Sequence, residues 1–318
     1  MRIRILGSGA GGGLPQWNCG CENCRAVRTG RPGIEARTQD SIAVGAGSGG
    51  WVLCNCSPDV LRQIEAFDEL HPRAPRHSPL SAIVLTNGDL DHVLGLFSLR
   101  ESYPLVIYAT EGVRRGLFEQ NAIARTLSRF EGHLTHRALL LGTEVSIADA
   151  RGEPTGIRVT ARPVRGKIPV HLEGVAASAP DQNVGLWLSD GAGKAAYVSA
   201  VADLNDVTPH LTDVDVLLLD GTFWSADELS RPGLSKARAE DMAHLPIGDP
   251  AGSLESSAQL AVRRRIYTHI NNTNPILVES SPERRAVIAA GWEVATDGME
   301  IRVDPTPASA RQSGRRSG

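Results

Sequence analysis

No stretch of this 318-residue chain is long and apolar enough to cross a bilayer. The opening MRIRILGSGAGGG carries a basic start but only a very short apolar run. It does not read as a secretion signal, and the expected location is the cytoplasm. A dominant basic field is missing as well, and the net charge of -3 argues against a general nucleic-acid binder. No internal repeat of fixed short period occurs, so a solenoid is not expected. Cysteine is scarce and unevenly placed, with five residues at positions 19, 21, 24, 54 and 56. An odd number clustered so locally does not make a disulfide framework, and in a cytosolic chain it reads as metal binding. What is left is an ordinary globular composition, long enough to bury a full core as one large domain or two small ones.

RIRILG alternates and ends in glycine, as a first strand does. SIAVGA and GWVLCNC read as strands separated by a GSGG turn, and LSAIVLT as a buried strand. SPDVLRQIEAF reads as a helix, with Ser57 as N-cap, Pro58 in the first turn and an apolar stripe of Val60, Leu61 and Ile64. DHVLGLFSLRES reads as a second helix, EGVRRGLFEQNAIARTL as a third and SLESSAQLAVRRR as a fourth. Residues 138–200 look β-rich, AAYVSA and VDVLLLDGTF are strands, and IYTHINNTNPIL starts as a strand and becomes a polar loop. Strand-helix alternation in both halves predicts two sheets packed between helices. The small, polar, basic residues after Asp304 predict a disordered tail over 304–318.

Cys19, Cys21 and Cys24 form C-x-C-x-x-C in a glycine-rich loop. Thiolates this close can converge on one tetrahedral structural zinc, and a fourth ligand is then needed. Cys54, Cys56, a histidine or an asparagine of the THINNTN loop are the candidates. GSGAGGG lacks the spacing and following helix of a nucleotide loop, so it reads as a tight loop presenting the cysteines.

TNGDLDHVLGL places two aspartates and a histidine at the end of a buried strand. Alone, such acids could simply face a helix dipole. VLLLDGTF, however, drives a strand into Asp220, and RIYTHINN drives another into His269. Strand ends thus deliver Asp91, His92, Asp220 and His269 to one crevice, a plausible divalent-metal site.

These segments resemble a known family. The order strand, H-x-H-x-D-H, later Asp, last His belongs to the metallo-β-lactamase superfamily. In TNGDLDH, Asn87 and Asp89 stand where its first two histidines belong, and Asp91 and His92 keep the final D-H. GSGAGGGLPQWNCGCENC, CNCSPDVLRQI, AHLPIGDPAGSL and THINNTNPIL further resemble the coenzyme PQQ synthesis protein B family, from Met1 to about Val303. The resemblance implies an α/β fold, an αββα sandwich of two mixed sheets between helical layers, as one domain over 1–303. It implies a step in PQQ synthesis on a Glu-Tyr precursor, through iron- and O2-dependent hydroxylation of the tyrosine-derived ring. The first metal site of a dinuclear hydrolase would then be lost and the second kept, with Asp91, His92, Asp220 and His269 holding one Fe(II). Two histidines with carboxylates and open positions suit Fe(II), whereas zinc has no redox chemistry. Related phosphodiesterases with the same cysteine loop take a fourth zinc ligand three residues after the last histidine, here Asn272. Substrate contacts are expected from Asn87, Asp89, Arg165, Lys167 and His244. The partner is a small-molecule precursor, with neither nucleic acid nor membrane, and a homodimer stays open. A zinc hydrolase, and a non-catalytic carrier that moves PQQ or its precursor toward the periplasm, are the alternatives.

Overall fold

Segments with apolar residues on both strand faces build two seven-stranded sheets. The computed structural model describes residues 1–304 except 48, 102, 122, 123, 125, 128–130 and 176. The tail expected to be disordered lies outside the described residues from 305 onward. The strands are β1 (Arg2–Gly7), β2 (Ser41–Gly45), β3 (Trp51–Cys54), β4 (Leu80–Val84), β5 (Leu105–Ala109), β6 (Leu134–Ala138), β7 (Glu144–Ala148), β8 (Pro154–Pro163), β9 (Val184–Ser189), β10 (Lys194–Val198), β11 (Val216–Asp220), β12 (Arg264–Thr268), β13 (Trp292–Val294) and β14 (Glu300–Arg302). The first sheet runs β14-β1-β2-β3-β4-β5-β6 and the second β13-β12-β11-β10-β9-β8-β7. Each is antiparallel on one side and parallel on the other, with the change at β3–β4 and at β10–β11. The first sheet is built from β1–β6 with β14 added from the C-terminal end, and the second from β7–β13.

Period-2 alternation explains the layers. Ile3, Ile5, Val52 and Val84 of the first sheet meet Leu186, Leu188, Tyr197 and Leu218 of the second in a central core. The opposite faces are apolar too. Leu53, Ile83 and Ile107 pack under Val60 and Val113, while Leu217, Leu219 and Tyr267 pack under Val287. The result is the expected αββα order.

The helices are α1 (Glu22–Arg28), α2 (Val60–Glu65), α3 (Leu90–Val93), α4 (Glu111–Phe118), α5 (Ser253–Ser256) and α6 (Pro282–Ala289). Several are shorter than periodicity predicts. α2 starts after Asp59, because Ser57 Oγ accepts from Asp59 N in a turn ahead of the helix. The helix expected over 91–102 ends at Val93 and tightens into a 3-10 segment, Leu94–Leu99. Gly95 sits so close to the chain after β3 that a Cβ there would stand 2.1 Å from the Ser57 carbonyl oxygen. The helix expected over 253–265 stops at Ser256, since Arg264 already pairs with Val216 in the sheet. α4 ends at Phe118, short of the expected Leu127. No described helix is long and apolar enough to cross a membrane.

Two contacts join the sheets at the end that carries the chemistry. Asn87 and Asn183 form an antiparallel bridge, and Val184 N donates to Thr86 O at 2.9 Å. At the same end the glycine loop pairs with the segment after β12, through Ala10 N to Ile270 O at 2.9 Å.

Candidate metal centres

The cysteine loop forms the first centre. The sulfurs of Cys19, Cys21 and Cys24 lie within 4.8 Å of one another. Cys21 N points at Cys19 Sγ (3.4 Å) and Cys24 N at Cys21 Sγ (3.5 Å), so backbone dipoles already favour negative sulfurs. The fourth corner is filled by Asn272. Its amide nitrogen stands 3.2, 3.5 and 3.3 Å from the sulfurs of Cys19, Cys21 and Cys24. A flip of that amide would turn its oxygen, a zinc ligand atom type, to the same point. Cys54 and Cys56 are excluded as the fourth ligand because each is buried in a separate apolar cluster. Asn23 clamps the arrangement by donating to the carbonyl oxygens of Asn272 and Asn274, both at 3.1 Å. These residues fit zinc, and the amide is the weak corner. Asn272→Ala should release zinc to a chelator at least about tenfold faster than wild type, and Asn272→His should retain it longer. Competition with a chromogenic chelator checks both.

The second centre lies where strands from both sheets end. Asp91 and His92 follow β4 across a short turn, Asp220 ends β11, and His269 follows β12 with a left-handed φ of 54°. A bulky residue held at positive φ is costly and typical of sites where the surrounding structure dictates the backbone. Ligand atoms of Asp91, His92 and His269 lie within 4.8 Å of one another, as do those of Asp220, His244 and His269. The rings of His92 and His269 meet edge to face at 5.3 Å, and His244 stacks on His269 at 5.5 Å.

Hydrogen bonding fixes which ring nitrogen faces the site. Thr86 Oγ1 has one proton, which goes to Asn55 Oδ1 at 2.9 Å. Toward His92 Nδ1, 3.1 Å away, it can then only accept, and Asn87 Oδ1 at 2.8 Å is an acceptor too. His92 therefore carries its proton on Nδ1. Its Nε2 is buried with no hydrogen-bond partner, as a neutral metal-ligating imidazole requires. Thr222 plays the same part for His269. Its hydroxyl approaches Asp220 Oδ1 at 2.6 Å and His269 Nδ1 at 2.9 Å, leaving His269 Nε2 toward Asp91 Oδ2 at 3.2 Å. The set fits a divalent ion.

Charges in the cluster are strongly coupled. Burial opposes ionisation of Asp91, but His92 and His269 outweigh it and hold the carboxyl far below its usual range. Burial keeps His92 neutral by pushing its pKa down. Burial also opposes charge on His269, yet Asp91, Asp40 and Asp220 push its pKa up to about 9. A proton on His269 thus stands in for the positive ion. Because the folded value lies above the ordinary 6.5, its stabilisation is complete below about pH 6.5 and is lost as pH rises through 9. Metal-free protein should lose stability across that window, on the order of 3 kcal/mol, while metal-loaded protein should not. Metal binding near pH 7.5 should release close to one proton, measurable in weak buffer with an indicator dye.

Asp220 is more constrained than a free ligand. Its Oδ1 accepts from Thr222 N and Oγ1, and its Oδ2 from Val201 N (3.0 Å) and His244 Nδ1 (2.7 Å). All four acceptor directions are used, so Asp220 anchors His244 as well as standing beside the metal residues. His244, expected as a substrate contact, therefore also belongs to the metal-facing cluster.

A cavity of about 310 Å³ opens over these residues, lined among others by Asp89, Leu90, Lys167, Val170, Phe223, Met242 and His244. Two expected substrate contacts need correction. Arg165 does not line it, because its guanidinium is tied to Asp203 (2.9 Å) and Asp206 (3.2 Å) on the surface. Asn87 is buried behind the wall, where its Oδ1 accepts from His92 and from Asp89 N (3.0 Å). The glycine loop does more than carry cysteines: a Cβ on Gly11 would stand 3.3 Å from Asp91 Oδ2, so the loop forms a close wall.

Sequence reasoning missed the residues behind the ligands. Asn55, in left-handed backbone with φ 62°, receives Thr86 and donates to Tyr197 Oη at 3.2 Å. Tyr197 donates to Asp40 Oδ2 at 2.5 Å, and Thr268 donates to Asp40 Oδ1 at 2.8 Å. A buried chain thus runs from His92 to the residue before His269. Thr86 and Thr222 adjoin the metal motifs and were findable. Asp40 and Tyr197 carry no local signal.

Comparisons with known proteins agree with this fold. Residues 50–270 match the Beta-lactamase superfamily domain. The chain is 40% identical over 307 residues to coenzyme PQQ synthesis protein B of Methylorubrum populi, covering 95% of this chain and 99% of that one. It is 41% identical over 313 residues to the protein of that name from Pseudomonas paraeruginosa, covering 95% and 100%. The crystal structure of zinc-bound PqqB from Methylobacterium extorquens superposes with a TM-score of 0.88 at 38% identity, over 95% of this chain and 100% of that one. A diphosphatase of the PhnP family shares the fold, with a TM-score of 0.65 at 20% identity, over 96% and 98%.

Proposed function

Because the chain belongs to the coenzyme PQQ synthesis protein B family, within the metallo-β-lactamase superfamily, we propose that it serves PQQ biosynthesis as an iron- and O2-dependent hydroxylase. The substrate in this reading is the Glu-Tyr-derived precursor, oxidised on its tyrosine ring. The observation that carries the reading is the ligand set. Asp91, His92 and His269 converge, while Asn87, at a histidine position of dinuclear hydrolases, is spent on holding His92. Two imidazoles and a carboxylate with open positions are the ligand set of non-haem Fe(II) oxygen enzymes. Iron bound there would supply redox chemistry with O2, which zinc lacks. Zinc in the relative's crystal does not select zinc here, since Zn2+ outcompetes Fe2+ on nitrogen and oxygen ligands.

The protein's own residues do the rest. Asp220 accepts the His244 Nδ1 proton and leaves Nε2 as an acceptor in the cavity wall, placed to take a proton from a ring hydroxyl. Leu90, Phe223 and Met242 give the ring an apolar bed, and Lys167 offers a cation to an acidic substrate. The test is anaerobic Fe(II) loading followed by O2 and precursor, read by mass spectrometry. Oxygen incorporation with O2 consumption is expected for iron and not for zinc. Iron-loaded protein that binds the precursor yet never consumes O2 would make it a carrier. Cleavage of a phosphodiester or lactone by the zinc-loaded form would make it a hydrolase.

A further inference from the structure

The buried chain behind the ligands ends in a charge that its hydrogen bonds do not require. Asp40 precedes β2 and is fully buried. Its Oδ1 accepts from Thr268 Oγ1 of β12 at 2.8 Å, and its Oδ2 from Tyr197 Oη of β10 at 2.5 Å. Both donors are neutral hydroxyls. A carboxylate has room for about four hydrogen bonds. Asp220 takes all four, whereas Asp40 takes these two among the described residues. A neutral side chain of the same shape meets two hydroxyls at a smaller desolvation cost.

The surroundings that a charge at this position can act on belong to the strand-end centre. The titratable groups that act on Asp40 or feel it include Tyr197, Cys54, Asp91 and His269, and of these only His269 can be positive. Burial pushes the Asp40 carboxyl up to about 6, and the first influence against burial is the charge at His269, ahead of the two hydroxyls. The influence runs both ways, since Asp40 is one of the carboxylates that favour positive charge at His269. Asp40 nevertheless stands outside both groups of converging ligand atoms, and it reaches this strand end through Thr268, the residue before His269. In a low-dielectric interior such a charge acts beyond hydrogen-bond range with little screening.

We propose that Asp40 is a positioning residue that acts through its charge, a third carboxylate behind Asp91 and Asp220 that raises the affinity of the strand-end centre for a divalent cation without touching it. The proposal rests on these residues holding an ion, as the hydroxylase reading does, and not on what the ion does. Without the ion the buried charge weakens the fold, and with the ion bound it strengthens binding.

The test compares Asp40→Asn, which removes the charge and keeps the shape, with Asp40→Ala, which removes the acceptor as well. Each full chain, with zinc kept in the cysteine loop, is titrated with Co(II) at pH 8, where wild-type Asp40 is ionised. Visible absorbance reads Co(II) on nitrogen and oxygen ligands. Both variants should bind Co(II) about tenfold or more weakly than wild type, and equally to one another. Urea denaturation before Co(II) is added should separate them. Asp40→Asn should unfold at a midpoint no lower than wild type, and Asp40→Ala at a lower one. A residue that only holds two hydroxyls in place gives another pattern, with Asp40→Asn near wild type in affinity and Asp40→Ala weakened. That pattern, weaker binding with a lower midpoint in Asp40→Asn, or no Co(II) binding by the strand-end residues of wild type would overturn the proposal. If the Asp40→Ala chain does not fold, Asp40→Asn decides alone. Oxygen chemistry does not enter, so the expected pattern in a protein that never consumes O2 sinks only the hydroxylase reading. O2-dependent turnover with Co(II) affinity unchanged in Asp40→Asn sinks only this one.

Discussion

His92→Ala and His269→Ala should each lose bound iron and O2-dependent turnover of the precursor, while the zinc of the cysteine loop stays. Each removes one of only two imidazoles in the Asp91 cluster and leaves a buried carboxylate with less positive charge around it. Losing a residue that merely orients a ligand costs about 10–100-fold in metal affinity, so losing the ligand itself should exceed that. Metal analysis after anaerobic loading, with O2 uptake, checks the result. Retained turnover in either variant would show the ligand assignment to be wrong. The cysteine centre is the internal control, because Cys19 and Cys21 precede α1, Cys24 lies in its first turn, and Asn272, three residues after His269, turns its side chain to the sulfurs and away from the histidine cluster.

Asn55→Ala should damage the same site from behind it. Asn55 is fully buried, and its side chain takes protons from Thr86 N and Oγ1 while giving one to Tyr197. Truncation strands those groups in the interior and puts alanine at a positive φ. A stability loss of about 3 kcal/mol is expected by urea denaturation. The specific effect is on His92. Freed from Asn55, the Thr86 proton can turn to His92 Nδ1, which favours the tautomer whose Nε2 carries hydrogen and cannot bind metal. Iron affinity should fall about 10–100-fold, and Thr86→Val, which cannot donate at all, should fall less. If Asn55→Ala loses stability but binds iron as wild type does, the buried chain is structural only.

Much of the fold was legible because strand signals are local. Alternation in RIRILG and apolar runs ending in Asp220 and at His269 mark strands whatever they pack against. Helix lengths were less legible. The stretch 253–265 has a helical pattern, but pairing of Arg264 with Val216 recruits its end into a sheet. At Gly95 a close backbone contact sets the break.

The metal residues follow the same division. Short-range spacing alone sets Asp220 and His269 at the ends of strands, places Asp91 and His92 shortly after another, and crowds Cys19, Cys21 and Cys24 into six residues. Contacts between distant segments bring the Asn272 side chain to the cysteine sulfurs, draw Arg165 off to Asp203 and Asp206, and set His244 on Asp220. They also set the tautomer of His92, through a chain that reaches Asp40. Those outcomes depend on where a single proton or charge finds its partner across two sheets, and residues 142 or 157 positions apart leave no local trace of that in the chain.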